Sequence, residues 1–181
     1  MSGRVILLVT MLQLSNTLIG RPVLSLRTGT PVAMTTEAII NPDNLKIEGF
    51  YCNDRFSNSR LVLLGQDIRD IITQGLVIND HDVLTDPGEL VRLEKTIKMG
   101  FVLIGKQVDT VSGQKIGKVG DYATDNQSMY IQKIYVTQSV FKSLTGGNLS
   151  VDRNQINEIT PKRIIINDLA GKVPARAGAI A

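Results

Sequence analysis

The sequence has no tryptophan, one cysteine and one histidine among its 181 residues. One cysteine excludes an internal disulfide, and Cys52 with His81 cannot supply the ligand set of a zinc site. Cys52 therefore reads as a small buried hydrophobe on a strand. No Gly-x-Ser-x-Gly elbow offers His81 a nucleophile, and this histidine, set between Asp80 and Asp82, reads as a solvated polar side chain in a loop. Aromatics are scarce, with four Phe and four Tyr, which leaves the core to Val, Ile and Leu, types that suit pleated strands. Charge of one sign is not concentrated either. The 20 basic and 17 acidic residues give a net +3, and the cations are spread along the chain rather than gathered into the stripe of a dedicated nucleic-acid binder.

Long apolar runs are also missing, and none approaches the ~20 residues needed to span a bilayer. Residues 5–9, after Arg4, resemble a short signal h-region, but no small-x-small cleavage site follows. The plainer expectation is that residues 1–10 are an upstream extension and Met11 the start, because the strand pattern begins directly after it. With 43% hydrophobic and 20% charged residues the chain lies in the ordinary globular range, and its length suits one large domain or two small ones.

What is present is a series of short strands. After a lead-in over 12–15 and a turn over 16–21, Pro22-Val23-Leu24-Ser25-Leu26 reads as a strand whose proline sits at its tolerated first position. A turn containing Gly29 and Pro31 leads to a strand over 32–40, and Asn41-Pro42-Asp43-Asn44 is a strong turn signal. Further strands are expected over 45–52, 61–64 and 75–80, with a polar loop over 53–60. Ile68 and Ile71, three apart, suggest a single helical turn over 65–71. Asp86-Pro87-Gly88-Glu89 has the form of a helix start, a capping Asp before Pro with Glu at the third position. Leu90, Leu93 and Ile97 follow at helical spacing, so one helix over 87–98 is expected as a connector.

The pattern then restarts. Leu18-Ile19-Gly20-Arg21 matches Leu103-Ile104-Gly105-Lys106 at an offset of 85. Gly29, Ile47 and Tyr51 match Gly113, Ile131 and Tyr135 at 84, and Val77-Ile78-Asn79-Asp80 matches Ile165-Ile166-Asn167-Asp168 at 88. Ile68 and Ile71 match Ile156 and Ile159 at the same 88. Colinear self-similarity of this kind is the mark of an internal duplication. The expected organisation is a first unit over 12–85, a connector over 86–99, a second unit over 100–170, and an Ala- and Gly-rich tail over 171–181 that offers little to bury.

The second copy carries a recognisable pattern: Leu103-Ile104-Gly105-Lys106-Gln107-Val108, then Gly113-Gln114-Lys115-Ile116-Gly117-Lys118-Val119-Gly120-Asp121, closing on Ile156-Asn157-Glu158-Ile159 and Ile164-Ile165-Ile166. In this it resembles the PRC-barrel family, the small β-barrel of photosynthetic reaction-centre H subunits and of the C-terminal half of a ribosome-maturation factor. The first copy departs from the pattern, with Ala33 and Met34 where the second has Gly117 and Lys118. The resemblance implies a mainly β chain of two tandem small PRC-like barrels joined by a short helix. It implies a habit of protein–protein contact and carries no catalytic residue. On the residues themselves, Gly113 sits where a hairpin needs positive φ, and Gly117, inside a strand, marks a bulge or a sharp bend.

Reactive chemistry finds no foothold in the pattern. Residues 113–119 imitate a phosphate-binding loop, but three residues rather than four separate the glycines, and Val119 stands where Ser or Thr should hold magnesium. Asp80, Asp82, Gly88 and Glu89 miss the spacing of a calcium loop, and read with Asp86 as turn and cap residues. Arg21, Arg27, Lys106, Lys115 and Lys118 lie near equivalent hairpins and suggest a shared basic edge, though lysines on strand edges also discourage aggregation. The expectation is a non-enzymatic binding or scaffold protein without cofactor, metal or catalytic site. It would be cytoplasmic, or held at a membrane surface by its partner, with a protein partner and self-association both plausible. The alternative is a ribosome- or RNA-associated factor.

Overall fold

The computed structural model describes residues 11–138 and 148–169. The expected tail over 171–181 and the upstream residues 1–10 lie outside them. The described chain is mainly β and forms two sheets. In chain order the strands are β1 (Leu12–Leu14), β2 (Pro22–Ser25), β3 (Pro31–Asn41), β4 (Lys46–Asp54), β5 (Arg60–Leu64), β6 (Ile68–Ile72) and β7 (Gly75–Ile78). A short helix, α1 (Glu94–Met99), precedes β8 (Gln107–Thr110), β9 (Lys115–Asp125), β10 (Ile131–Gln138), β11 (Asn148–Asp152), β12 (Ile156–Ile159) and β13 (Arg163–Ile166).

The two sheets share one strand order. The first runs β5-β4-β3-β2-β7-β6 and the second β11-β10-β9-β8-β13-β12, each strand of the second being the counterpart six places on. Among the described residues the parallel neighbours in the two sheets are β2 with β7 and β8 with β13. Among the described residues no ladder joins the end strands of either sheet to each other. The residues that matched along the sequence occupy matching places. Gly20 and Gly105 have φ of +70° and +82°, and their amides donate to Thr35 O and Val119 O respectively. Gly29 and Gly113, at +68° and +84°, turn the β2–β3 and β8–β9 hairpins. Gly113 thus adopts the positive φ its turn requires.

The cores are aliphatic, as the shortage of aromatics dictates. Val23, Ile47, Phe50, Leu63, Leu76 and Ile78 are fully buried in the first half, with Val108, Ile131, Ile134 and Ile164 in the second, and one continuous apolar cluster runs through both. The halves are also stitched by backbone. Ile47 N donates to Met129 O (2.8 Å) and Ile131 N to Leu45 O (2.9 Å), so the equivalent β3–β4 and β9–β10 connections pair with each other reciprocally. The turn residues Leu45 and Met129 both hold positive φ, +52° and +59°. That conformation is uncommon for a non-glycine residue, and its occurrence at both matching sites marks them as the same turn.

Three local expectations change. Residues 12–15 are more than a lead-in, because β1 adds antiparallel to β9 of the second sheet, Leu12 opposite Asp125 and Leu14 opposite Ala123. The helical turn over 65–71 is a 3-10 turn over Gly65–Asp67 followed by a strand. There Ile68 pairs with Ile78 and Asp70 with Val77, so a bulge falls between Ile68 and Asp70. The one extra residue brings Ile68 and Ile71 to the same face, which is why their spacing imitates a helix. The helix expected over 87–98 is divided into 3-10 turns at Pro87–Glu89 and Val91–Leu93 before α1, with Leu90 at φ −87°, ψ 65°. Asp86 does cap the start, its Oδ1 accepting from Gly88 N at 2.7 Å. Gly88 and β-branched Val91 are weak helix formers, and they fall where the helix fails. Among the described residues no helix is long and apolar enough to cross a membrane.

Candidate binding cleft

A cleft of about 640 Å³ opens where the halves meet. One wall is the outer part of β3, including Ala38 and Ile40. The other comprises Ile97 of α1, the run 100–104 that leads into the second unit, and Tyr122 of β9. Gly100 ends α1 in the left-handed conformation, φ +55°, and Phe101 and Leu103 in the run after it line the same cleft as β3. Lys106 holds Phe101 in place, its Nζ 4.5 Å from the ring centroid and donating to Pro161 O at 2.7 Å. Ser15 fixes the floor by donating from N (3.3 Å) and Oγ (2.5 Å) to Asp121 Oδ1. Burial pushes the neighbouring Tyr122 hydroxyl far above its ordinary acidity constant, and the Asp121 charge adds to this.

Polar groups gather at the lip. Arg60 Nη2 lies 2.9 Å from Glu37 Oε2, and its guanidinium stacks 3.7 Å above the Tyr51 ring. Val102 and Ile104 are exposed at 63% and 42%, so the apolar surface continues out of the cleft. A second depression, about 740 Å³, borders Lys46, Glu48, Gln66, Glu89 and Gln127 and is more polar. The first is the better candidate for protein contact, since its lining is more apolar and runs on into exposed Val102 and Ile104, and contiguous exposed apolar surface marks interaction sites.

The residues weighed for chemistry lie elsewhere. His81 is not a free polar side chain. Its Nε2 sits 2.7 Å from Oδ1 of buried Asp54, and its ring packs edge-on against Phe56 at 5.1 Å. Asp54 Oδ2 accepts from Ser57 N (2.9 Å) and from Ser57 Oγ. The order is serine–aspartate–histidine, with both partners on the carboxylate, so the imidazole does not reach the hydroxyl as a catalytic base must. Asp54 was hidden at the edge of a segment that reads as a polar loop; its signal is the Asp-x-x-Ser spacing of a side-chain turn. Asp80 is buried against Ser25 Oγ (3.0 Å) and paired with Arg27, while Asp86 serves as the cap described above. Cys52 is fully buried, and burial pushes its thiol up to about 12 against a smaller lowering by a hydrogen bond from the Leu63 backbone. Among the described residues no three His, Cys, Asp or Glu side chains are grouped as metal ligands.

Three of the hairpin cations are engaged within the molecule. Arg21 donates to Thr73 O and Lys106 to Pro161 O, equivalent clamps on equivalent hairpins, and Arg27 is held by Asp80. In the stretch over 113–121, β9 continues as a strand, so no helix follows to receive a phosphate. Gly117 allows β10 to approach and Gly120 is the bulged residue, Asp121 being opposite Tyr135 and Val119 opposite Val136.

Burial pushes Asp54 up, but the hydrogen bonds from Ser57, His81 and the Phe56 amide outweigh it and bring the group from 3.8 down to about 2. A carboxylate more acidic in the folded chain stabilises it above the unfolded value and loses that contribution as pH falls through the folded one. Stability is therefore expected to drop as pH falls from 3.8 toward 2, and Asp54→Asn should flatten that part of the curve. Urea midpoints for the two proteins across this range check it. An unchanged slope would remove Asp54 from acid unfolding.

The chain matches no protein-family model and no curated protein.

Proposed function

We propose that the chain is a non-enzymatic binding or scaffold protein of two PRC-barrel-like units, the products of an internal duplication, acting through protein–protein contact at the cleft between them. The observation that carries this reading is the apolar cleft bounded by β3, α1 and Phe101, with exposed Val102 and Ile104 beside it. The shared strand order of the two sheets supports the tandem-unit reading, and the Ser57–Asp54–His81 order counsels against hydrolytic chemistry. The protein would act in the cytoplasm, or at a membrane surface through its partner. An RNA or ribosome contact would have to draw on hairpin cations of which Arg21, Arg27 and Lys106 are engaged within the molecule.

A photo-cross-linking residue placed at position 101 or 102 in the native cell tests the reading, with position 26, an exposed hairpin tip, as the control. One protein should be captured from both cleft positions and not from the control. Turnover of a small metabolite by the purified protein, with no capture at the cleft, would overturn it.

A further inference from the structure

We propose that the outer edge of β3, at Ile39, Ile40 and Asn41, accepts an extended peptide strand from the partner protein, as β9 accepts β1. This deepens the protein-contact reading and rests on it. In the second sheet, Ala123 and Thr124 pair with β10 on one side and with Leu14 and Gln13 on the other, and Asp125 lies opposite Leu12. β1 thus fills the part of the β9 edge beyond the reach of β8, which stops at Lys118 and the residues before it.

The same edge exists in the first sheet, 84 residues earlier. Asn41 and Asp125 both begin a turn by accepting from the amide two residues on, Asp43 N at 3.0 Å and Gln127 N at 3.1 Å, and both turns contain the positive-φ residue described above. Ile39, Ile40 and Asn41 pair with Gly49, Ile47 and Lys46 of β4. On their other side, no strand among the described residues is laddered to them. The segment corresponding to β1 at the offset of 85 is Ile97, Lys98 and Met99, and it belongs to α1. A helix satisfies its backbone groups internally, so α1, which stands beside β3, does not complete the strand edge. Ile39 and Ile40 are only 4% exposed, and what exposure they keep faces the 640 Å³ cleft that they line with Ile97.

An unpaired strand edge is a template for another chain, and peptide addition to such an edge takes its affinity from main-chain hydrogen bonds and its specificity from alternate side chains. β1 shows the chemistry that fits, Leu-Gln-Leu, apolar at alternate positions. Ala38, Ile97 and Phe101 give the first-sheet edge an apolar surrounding suited to the same alternation. The occupant is therefore an extended apolar–polar–apolar segment of a partner protein, antiparallel to β3.

Amide exchange on the full chain tests this, with the capped hexapeptide Met-Leu-Gln-Leu-Ser-Asn as the probe. Two further versions are N-methylated, one at the glutamine and one at both leucines. The hexapeptide should protect the amides of Ile39, Ile40 or Asn41 saturably, at least one methylated version should bind tenfold more weakly, and Ala38→Phe should weaken binding similarly. Equal binding by both methylated versions would overturn strand pairing in favour of plain apolar contact. So would protection confined to Ala123, Thr124 and Asp125, which means displacement of β1, or protection of the β3 edge that appears without peptide and rises with protein concentration, which means a second copy. A partner captured at position 101 while no β3 amide is protected would remove the strand inference and leave the binding function standing.

Discussion

Gly117→Ala is expected to destabilise the protein by about 3 kcal/mol, the upper end of the cost of overpacking. A Cβ at this position would stand 2.1 Å from the Thr137 carbonyl oxygen and 2.9 Å from its carbon. Both atoms belong to β10, which is paired to β9 on this side and to β11 on the other, so the neighbour cannot step back without breaking a ladder. Gly113→Ala is the comparison. Its φ of +84° strains any side chain, but nothing lies within 4 Å, and the expected cost is about 1 kcal/mol. Urea unfolding of the two variants decides the matter, and equal losses would mean that Gly117 is present for backbone freedom rather than for the approach of β10. The first sheet already contains the contrasting case, since buried Ala33 takes the corresponding place opposite Asp54.

Ile131→Ala and Ile47→Ala should each cost about 3 kcal/mol, within the range for truncating a buried isoleucine. Both side chains are fully buried, and each backbone donates one of the reciprocal hydrogen bonds that join the halves. Because the apolar cluster is continuous, the loss should appear as one cooperative transition that moves equally whether followed from the first half or the second. Site-specific ¹⁹F labels at Tyr51 and Tyr135 would report each half separately. An Ile131→Ala protein whose second half melts first, with the first half unmoved, would show that the units are thermodynamically independent.

Much of the fold could be read locally because its signals are local. Gly29 and Gly113 mark hairpins by the φ they need, and the matches of Ile47 and Tyr51 with Ile131 and Tyr135 fall on equivalent strands, β4 and β10. The failures share a cause as well. Ile68 and Ile71 are three apart for the sake of a bulge, and a bulge is indistinguishable from a helical turn until the partner strand is known. His81 reads as solvated because its partner, Asp54, is 27 residues away at the end of β4. Leu12, Gln13 and Leu14 look like a lead-in because nothing nearby in the chain pairs with them. The cleft was the least legible feature, since Ala38, Ile97, Phe101 and Tyr122 acquire a common surface only after both sheets have formed.

The place of β1 also sets an order of events during synthesis. Ser15 and the Asp121 that holds it are 106 residues apart, so β1 leaves the ribosome well before β9 exists. The first sheet can assemble from β2 to β7 in the meantime, while Leu12 and Leu14 wait with an exposed edge of their own. Closing that long loop costs little more than closing a shorter one, but contacts so distant in sequence form late. The earliest of the described strands is thus among the last to be paired.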